Sequence, residues 1–348
     1  MSAVGSLLGT AVGDAIGLPY EAMSARRAAR LLGSPDRHRF VFGRGMGSDD
    51  TEHTVMVAQA LIASGAEPAA FAHDLGWRMR WWLLGLPAGI GFATMRALIK
   101  LWLGFGPHRS GVFSAGNGPA MRSAIVGAAI DDEKAMRQLV SICTRITHTD
   151  PKAEYGALAV ALAAHLVARQ ESVGAEAYAR HLAKILPDDA PARELLELID
   201  RAIASASAGH VTETFVRSLG CRHGVTGYVY ATVPAAIHAW LKHPGDYEAA
   251  IGEIVACGGD TDTTAAIVGG IVGSGVGKSG IPPEWIDGLA EWPRTVTWME
   301  ELAAALERPA SRDGANAPGV FVPFLLLRNA FFMGVVLVHV ARRCLPPY

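Results

Sequence analysis

The sequence predicts an all-α protein. Apolar residues recur at three- and four-residue spacing along most of the chain, and few windows alternate as a half-buried strand would. The composition is Ala-rich and half hydrophobic, which suits packed helices. Helices are predicted over residues 51–64, 68–84, 121–130, 133–145, 152–169, 191–205, 226–241, 247–256 and 261–273. Pro191 suits the first position of its helix, where a missing N–H costs nothing. Gly-rich pieces at 43–47, 104–118 and 257–259 separate helices. They read either as ordinary helix breaks or as loops that let backbone approach a ligand. Trp81-Trp82 reads as core packing, and Asp131-Asp132-Glu133 as a capped, solvated helix start.

With 348 residues, a net charge of −2 and a mean hydropathy of +0.24, the chain can bury a large core. No basic patch marks it as a nucleic-acid binder. Cys143, Cys221, Cys257 and Cys344 form no Cys-x-x-Cys pair, and the opening residues lack a signal-peptide pattern. A reducing cytoplasm is the expected setting. The expected organisation is a catalytic domain over 1–306, an exposed linker over 307–319 and an apolar C-terminal helix over 320–348. The apolar run at 321–340 nears the length of a membrane span, but Arg328, Asn329 and His339 interrupt it. A helix docked on the domain or on a second copy is the favoured reading, and membrane contact the second.

Two short segments carry chemistry: Gly47-Ser48-Asp49-Asp50-Thr51-Glu52 and Gly258-Gly259-Asp260-Thr261-Asp262-Thr263-Thr264. Each lies at the start of an apolar helix. Helix capping explains one Ser or Asp at such a place. It does not explain two crowded carboxylates, which repel unless a cation or a proton intervenes. Brought together, the segments would form an oxygen-only donor set with no His and no Cys. That chemistry selects hard cations such as Mg²⁺ or Mn²⁺, and four carboxylates suit two of them. One decoy is set aside. Gly273-Ser274-Gly275-Val276-Gly277-Lys278-Ser279 looks like a phosphate-binding loop, but Val272 stands where its first Gly is required, and a helix precedes it.

Six segments, in order, resemble the motifs of the ADP-ribosylglycohydrolase family, which includes the dinitrogenase-reductase-activating glycohydrolases. They are Gly13-Asp14-Ala15-Ile16-Gly17-Leu18-Pro19-Tyr20-Glu21, Ser48-Asp49-Asp50-Thr51, Gly116-Asn117-Gly118-Pro119-Ala120-Met121-Arg122, Thr147-His148, Gly227-Tyr228-Val229 with Thr232-Val233-Pro234, and Gly259-Asp260-Thr261-Asp262-Thr263. The resemblance implies an all-α fold with a binuclear Mg²⁺ site, Mn²⁺ being the alternative. Ser48, Asp49 and Asp50 would ligate from one side and Asp260, Asp262 and Thr263 from the other. Glu21, Asp50 and Asp262 are the implied catalytic carboxylates. Ser114, Gly116, Asn117 and Gly118 would line the diphosphate and ribose, Met121 would pack beneath them, and His148 would contact the ADP-ribose. The implied reaction is hydrolysis of the glycosidic bond between ADP-ribose and an acceptor, with ADP-ribosylated protein, arginine first, as the expected substrate. A small ADP-ribosyl metabolite, or a non-catalytic binding role, are the alternatives. Two departures stand out. Ser48 replaces a usual Thr but keeps the hydroxyl, and Ala115 stands where some relatives carry an aromatic residue.

Overall fold

Eighteen helices and a pair of two-residue strands make up residues 2–169, 173–308 and 317–346, the residues described by the computed structural model. The helices are α1 (Ser2–Gly17), α2 (Ala25–Leu32), α3 (Asp49–Ser64), α4 (Pro68–Leu84), α5 (Phe92–Trp102), α6 (Pro107–Ser110), α7 (Ala124–Ala129), α8 (Glu133–Arg145) and α9 (Pro151–Val167). They continue with α10 (Ala175–Ile185), α11 (Ala190–Ser207), α12 (Thr212–Ser218), α13 (Val229–Lys242), α14 (Tyr247–Val255), α15 (Thr261–Val276), α16 (Pro283–Asp287), α17 (Val296–Leu306) and α18 (Val322–Arg343). Strands β1 (Met23–Ser24) and β2 (Gly258–Gly259) pair antiparallel, Met23 opposite Gly259.

The centre of the fold is a seam between α1 and α15. Gly5, Gly9, Gly13 and Gly17 recur every four residues on α1 and face Gly273, Gly269, Ala265 and Thr261 of α15. A Cβ on Gly9 would stand 2.2 Å from the carbonyl oxygen of Gly269, so only residues without side chains permit this approach. The helices run antiparallel. The C-terminal end of α1, with Asp14 and Gly17, therefore meets the N-terminal end of α15, with Thr261 and Asp262. Thr261 Oγ1 donates to the Gly17 carbonyl at 2.9 Å, and the Tyr247 hydroxyl donates to the Gly9 carbonyl at 2.6 Å.

The nine expected helices correspond to α3, α4, α7, α8, α9, α11, α13, α14 and α15, with local differences. The stretch 121–130 divides into a 3-10 turn, Ala120–Arg122, and α7. Helix α13 starts only at Val229 because Val225 and Tyr228 are taken by extended bridges to Gly259 and Gly116. Pro191 is the second residue of α11, after Ala190 and the capping Asp189. Helices α1, α2, α5, α6, α10, α12, α16 and α17 were not among those expected. In α1 every residue but Ser2 and Val4 is buried, so no polar face marks its period. Trp82 is a core residue as expected, but Trp81 is half-exposed in a surface cluster with Trp77 and Trp102. Asp132 caps α8 as read, accepting from the Ala135 amide at 2.7 Å. The phosphate-loop look-alike closes the C-terminal end of α15, where carbonyls rather than amides are free, and Lys278 pairs with Glu300.

Helix α18 is long and apolar enough to cross a membrane by length and composition. Its amphipathicity is inverted: Arg328, Asn329 and Phe332 are buried against the domain, while Phe324, Leu327, Phe331 and Val338 face outward. The polar residues that interrupt the apolar run are its attachments. Asn329 Nδ2 donates to the Gly85 carbonyl at 2.8 Å, and His339 Nε2 meets the Phe40 carbonyl at 2.6 Å. Of the expected linker at 307–319, residues 309–316 lie outside the described residues.

Away from the seam, Glu253 ties α12, α13 and α14 together, accepting from Thr212 Oγ1 and Lys242 Nζ at 2.8 Å each. Burial pushes its carboxyl up, but hydrogen bonds from Lys242, His243 and Thr212 outweigh that and bring it to about 2 from an ordinary 4.5. A depressed carboxyl stabilises the fold above its unfolded value and loses that contribution as pH falls toward its folded one. Glu253→Gln should therefore melt below wild type at neutral pH. Thermal melts should show the gap narrowing steadily below about pH 4.5.

Candidate active site

Short backbone bridges gather distant loops at the end of the seam. The Ala22 amide donates to the Gly259 carbonyl at 2.7 Å, and the Asp260 amide to the Val225 carbonyl at 2.9 Å. The Asn117 amide donates to the Gly227 carbonyl at 3.0 Å, and the Thr149 amide to the Val112 carbonyl at 2.9 Å. Gly259 has φ +85°, and a Cβ there would stand 2.0 Å from the Val225 carbonyl oxygen, so both conformation and space require glycine.

The acidic segments face each other across this junction. Ser48 is the residue that caps α3, through the Asp50 amide, and Asp260 makes no capping hydrogen bond on α15. The carboxylates of Asp49, Asp50, Asp260 and Asp262 are thus not used up as caps. Asp50 Oδ2 accepts from Ser48 Oγ at 3.0 Å and from Thr263 Oγ1 at 3.2 Å, joining segments 213 residues apart. Asp260 Oδ2 accepts from Asn117 Nδ2 at 2.7 Å.

Asp14, which sequence reasoning did not place in the site, accepts from the Ser48 amide at 2.7 Å, the Thr51 amide at 3.1 Å and the Thr51 hydroxyl. Its motif was visible, but only the helix seam shows where it points. One buried oxygen on each of Asp14, Asp50 and Asp262 meets no hydrogen-bond donor.

The electrostatics follow from this crowding. Burial, then Asp14 and Asp49, push the Asp50 carboxyl well above its usual range. Burial, then Glu21 and Asp260, do the same to Asp262, and burial, then Asp14 and Glu52, to Asp49. Burial raises Asp14 to about 7 against the hydrogen bonds it accepts. Glu21 is raised by burial, opposed by Arg343 of α18. Such a set favours an added cation or retained protons. Among the described residues no three of these side chains close on one point as a finished ligand shell; they form an open acidic wall.

That wall is one side of a cleft of about 480 Å³. Glu21, Asp49, Asp260, Asp262 and Thr263 line it together with Ser114, Gly116, Asn117, Gly118, Met121 and His148. Ser48 and Asp50 lie buried behind the wall. Phe92, Thr94, Arg96 and Phe113 also line the cleft. The first three come from α5, a helix not expected, and no motif signals them. Arg96 lies over the Phe92 ring, 5.6 Å from its centroid.

His148 faces the cleft as a neutral ring. Burial and the nearby Arg122 guanidinium hold it down to about 3. Arg122 Nη2 donates to Thr147 Oγ1 at 2.7 Å, and that hydroxyl sits 2.9 Å from His148 Nδ1 against 3.4 Å from the Thr144 carbonyl. The hydroxyl proton therefore goes to Nδ1, and the ring keeps its own proton on Nε2, a donor beside Gly116. A Cβ on Gly116 would come within 3.0 Å of that nitrogen.

An all-helical fold with paired Asp motifs beside a glycine-lined cleft defines a class, and the comparisons agree: residues 2–316 match the ADP-ribosylglycohydrolase family, so the chain belongs to it. Among its relatives is the ADP-ribosyl-[dinitrogen reductase] glycohydrolase of Rhodospirillum rubrum, 26% identical over 82% of this chain and 90% of that protein. Another is the ADP-ribosylhydrolase ARH3 of Homo sapiens, 28% identical over 87% of this chain and 92% of that one. The ADP-ribosylarginine hydrolase Tri1 of Pseudomonas putida is 27% identical over 83% and 74%. A solved structure described as an ADP-ribosylglycohydrolase-related protein complex is similar with a TM-score of 0.61 at 26% identity, covering 89% of this chain and 98% of that one.

Proposed function

We propose that the cleft hydrolyses the glycosidic bond between ADP-ribose and an acceptor, with ADP-ribosylated arginine on protein as the first-choice substrate. The observation that carries this reading is the contact between Asp50 and Thr263, which joins both acidic segments beneath one glycine-lined cleft. The relative named for ADP-ribosylarginine supports arginine. Ser48, Asp49 and Asp50 would hold two Mg²⁺ or Mn²⁺ ions together with Asp260, Asp262 and Thr263. The all-oxygen donor set and the buried oxygens of Asp50 and Asp262 that meet no donor fit hard divalent cations. When bound, the ions supply positive charge to ribose hydroxyls and to water at the reacting carbon.

The remaining work falls to the chain. Gly116 and Gly118 let the diphosphate lie against backbone between Ser114 and Asn117. Met121 closes the floor. His148 Nε2–H donates to a ligand oxygen and, being neutral, does not change charge near pH 7. Asn117 holds Asp260 in place through its 2.7 Å hydrogen bond. Glu21, which lines the cleft, moves the proton between water and leaving group, while Asp262 in the wall and Asp50 behind it would hold the ions.

The test is a panel. The full chain is incubated with Mg²⁺ and with arginine-linked, serine-linked, nucleic-acid-linked and small-molecule ADP-ribosyl compounds, and free ADP-ribose is measured. Release should be fastest from arginine and should stop with chelator. No release from any member with either Mg²⁺ or Mn²⁺ would sink the proposal.

A further inference from the structure

We propose that α18, which lies beyond the residues matched to the family, carries a positioning residue for the acidic loop: Arg328, acting with Glu291 as a clamp on Gly47. The inference rests on the metal-holding role given above to residues 48–50. Arg328 is buried, with its side chain 3% exposed. Its Nη2 donates to the Gly47 carbonyl and to Glu291 Oε1, 2.5 Å in each case. The same Glu291 oxygen accepts from the Gly47 amide at 2.7 Å. One ion pair thus holds both polar backbone groups of the residue just before Ser48. On the far side of the loop, Glu52 accepts from Arg294 Nη1 at 2.9 Å and from Trp82 Nε1 at 2.7 Å, and Arg328 Nη1 lies 3.8 Å from it. The cap and first turn of α3, which bear Ser48, Asp49 and Asp50, are therefore gripped from both sides.

A buried ion pair is a poor way merely to dock a helix, because desolvating both charges offsets most of their attraction. Apolar contacts already do that here: Phe332 of α18 packs in one cluster with Leu18, Phe40, Met46 and Ala88. What the pair adds is a fixed peptide at Gly47. A loop carrying mutually repelling carboxylates needs such a restraint, since repulsion drives it open. Gly47 itself is tightly placed, a Cβ there standing 2.5 Å from Thr51 Oγ1. Arg328 does not line the cleft, so it acts through the loop and not on substrate.

The test compares the full-length wild type with Arg328→Lys and with the double variant Arg328→Met, Glu291→Gln, which leaves no lone buried charge. Mg²⁺ affinity is read by titration calorimetry well below each melting temperature. Amide exchange over residues 47–51 is read without metal, with α9 as internal reference. The double variant should bind Mg²⁺ about 10- to 100-fold more weakly and exchange faster at 47–51 only. Arg328→Lys, which keeps the charge but not the fork, should fall between. A merely structural role would lower the melting temperature without moving affinity. If the double variant does not fold, Arg328→Lys decides alone by the same readouts. Folded variants with wild-type affinity and unchanged loop exchange overturn the clamp. A wild type that binds no Mg²⁺ instead overturns the metal reading, and loop exchange then decides the clamp: localised acceleration supports it, no change overturns it.

Discussion

Asp262→Asn should abolish turnover and yet raise the melting temperature of the metal-free protein. Asp262 is 6% exposed, one of its oxygens meets no donor, and burial, Glu21, Asp260, Asp50 and Asp14 all oppose its ionised form. Asparagine keeps the shape and removes the charge, and its amide can donate to the carboxylates around it. Relief of repulsion should stabilise the metal-free fold by about 1 kcal/mol, or roughly 2 °C for a chain of this size. The same change removes a donor from the cation site. Several kcal/mol of charge stabilisation at the reacting carbon is on the order of a thousandfold in rate.

Saturating Mg²⁺ should then reverse the order of stability, because a ligand that binds only the folded state stabilises the protein that binds it better. The variant should melt higher in chelator, and the wild type higher in Mg²⁺. Thermal melts under both conditions, with ADP-ribose release measured alongside, check this. Parallel shifts with no crossing, or equal release by the two proteins, would show that Asp262 holds no cation.

How much of this was legible beforehand follows from what each feature needs. The acidic segments could be read because their residues are contiguous and their crowding exceeds what capping requires. Helices with one apolar face, such as α8 and α11, could be read from their period. Helix α1 could not, because burial on nearly all sides erases the contrast between faces. Asp14 was hidden with it: in the sequence it is one acidic residue, and only packing against α15 brings it to Ser48 and Thr51. Phe92, Thr94 and Arg96 were concealed for a different reason: their helix has an exposed face but is short and sits between Gly-rich turns. In α18 the polar residues were seen but their direction was not. Arg328 and His339 look like interruptions of an apolar run and prove to be its points of attachment. Side-chain chemistry was legible; the direction in which a helix turns its polar face depends on partners far along the chain.

The seam gives a second large effect, and one whose sign depends on place. Gly→Ala within a helix normally stabilises by about 0.5–1 kcal/mol, because glycine loses more backbone entropy on folding. Gly252 of α14 has open space around its missing Cβ, so Gly252→Ala should follow that rule and raise the melting temperature. Gly9→Ala should do the opposite. Its Cβ would meet the Gly269 carbonyl oxygen at 2.2 Å, and a backbone atom cannot rotate away. The two helices would have to part by about 1 Å to reach an ordinary carbon–oxygen contact. Overpacking of this kind costs about 1–3 kcal/mol, more where backbone must move. The disturbance does not stay local. Asp14 and Asp262 lie at one end of this seam on opposite helices, so opening it moves one acidic group relative to the other. Folded Gly9→Ala should therefore also bind Mg²⁺ more weakly, whereas Gly252→Ala should match wild type. Melting temperatures and Mg²⁺ titrations of the two variants test both parts. A Gly9→Ala protein as stable as Gly252→Ala would mean that the close approach of α1 and α15 does not hold the site together.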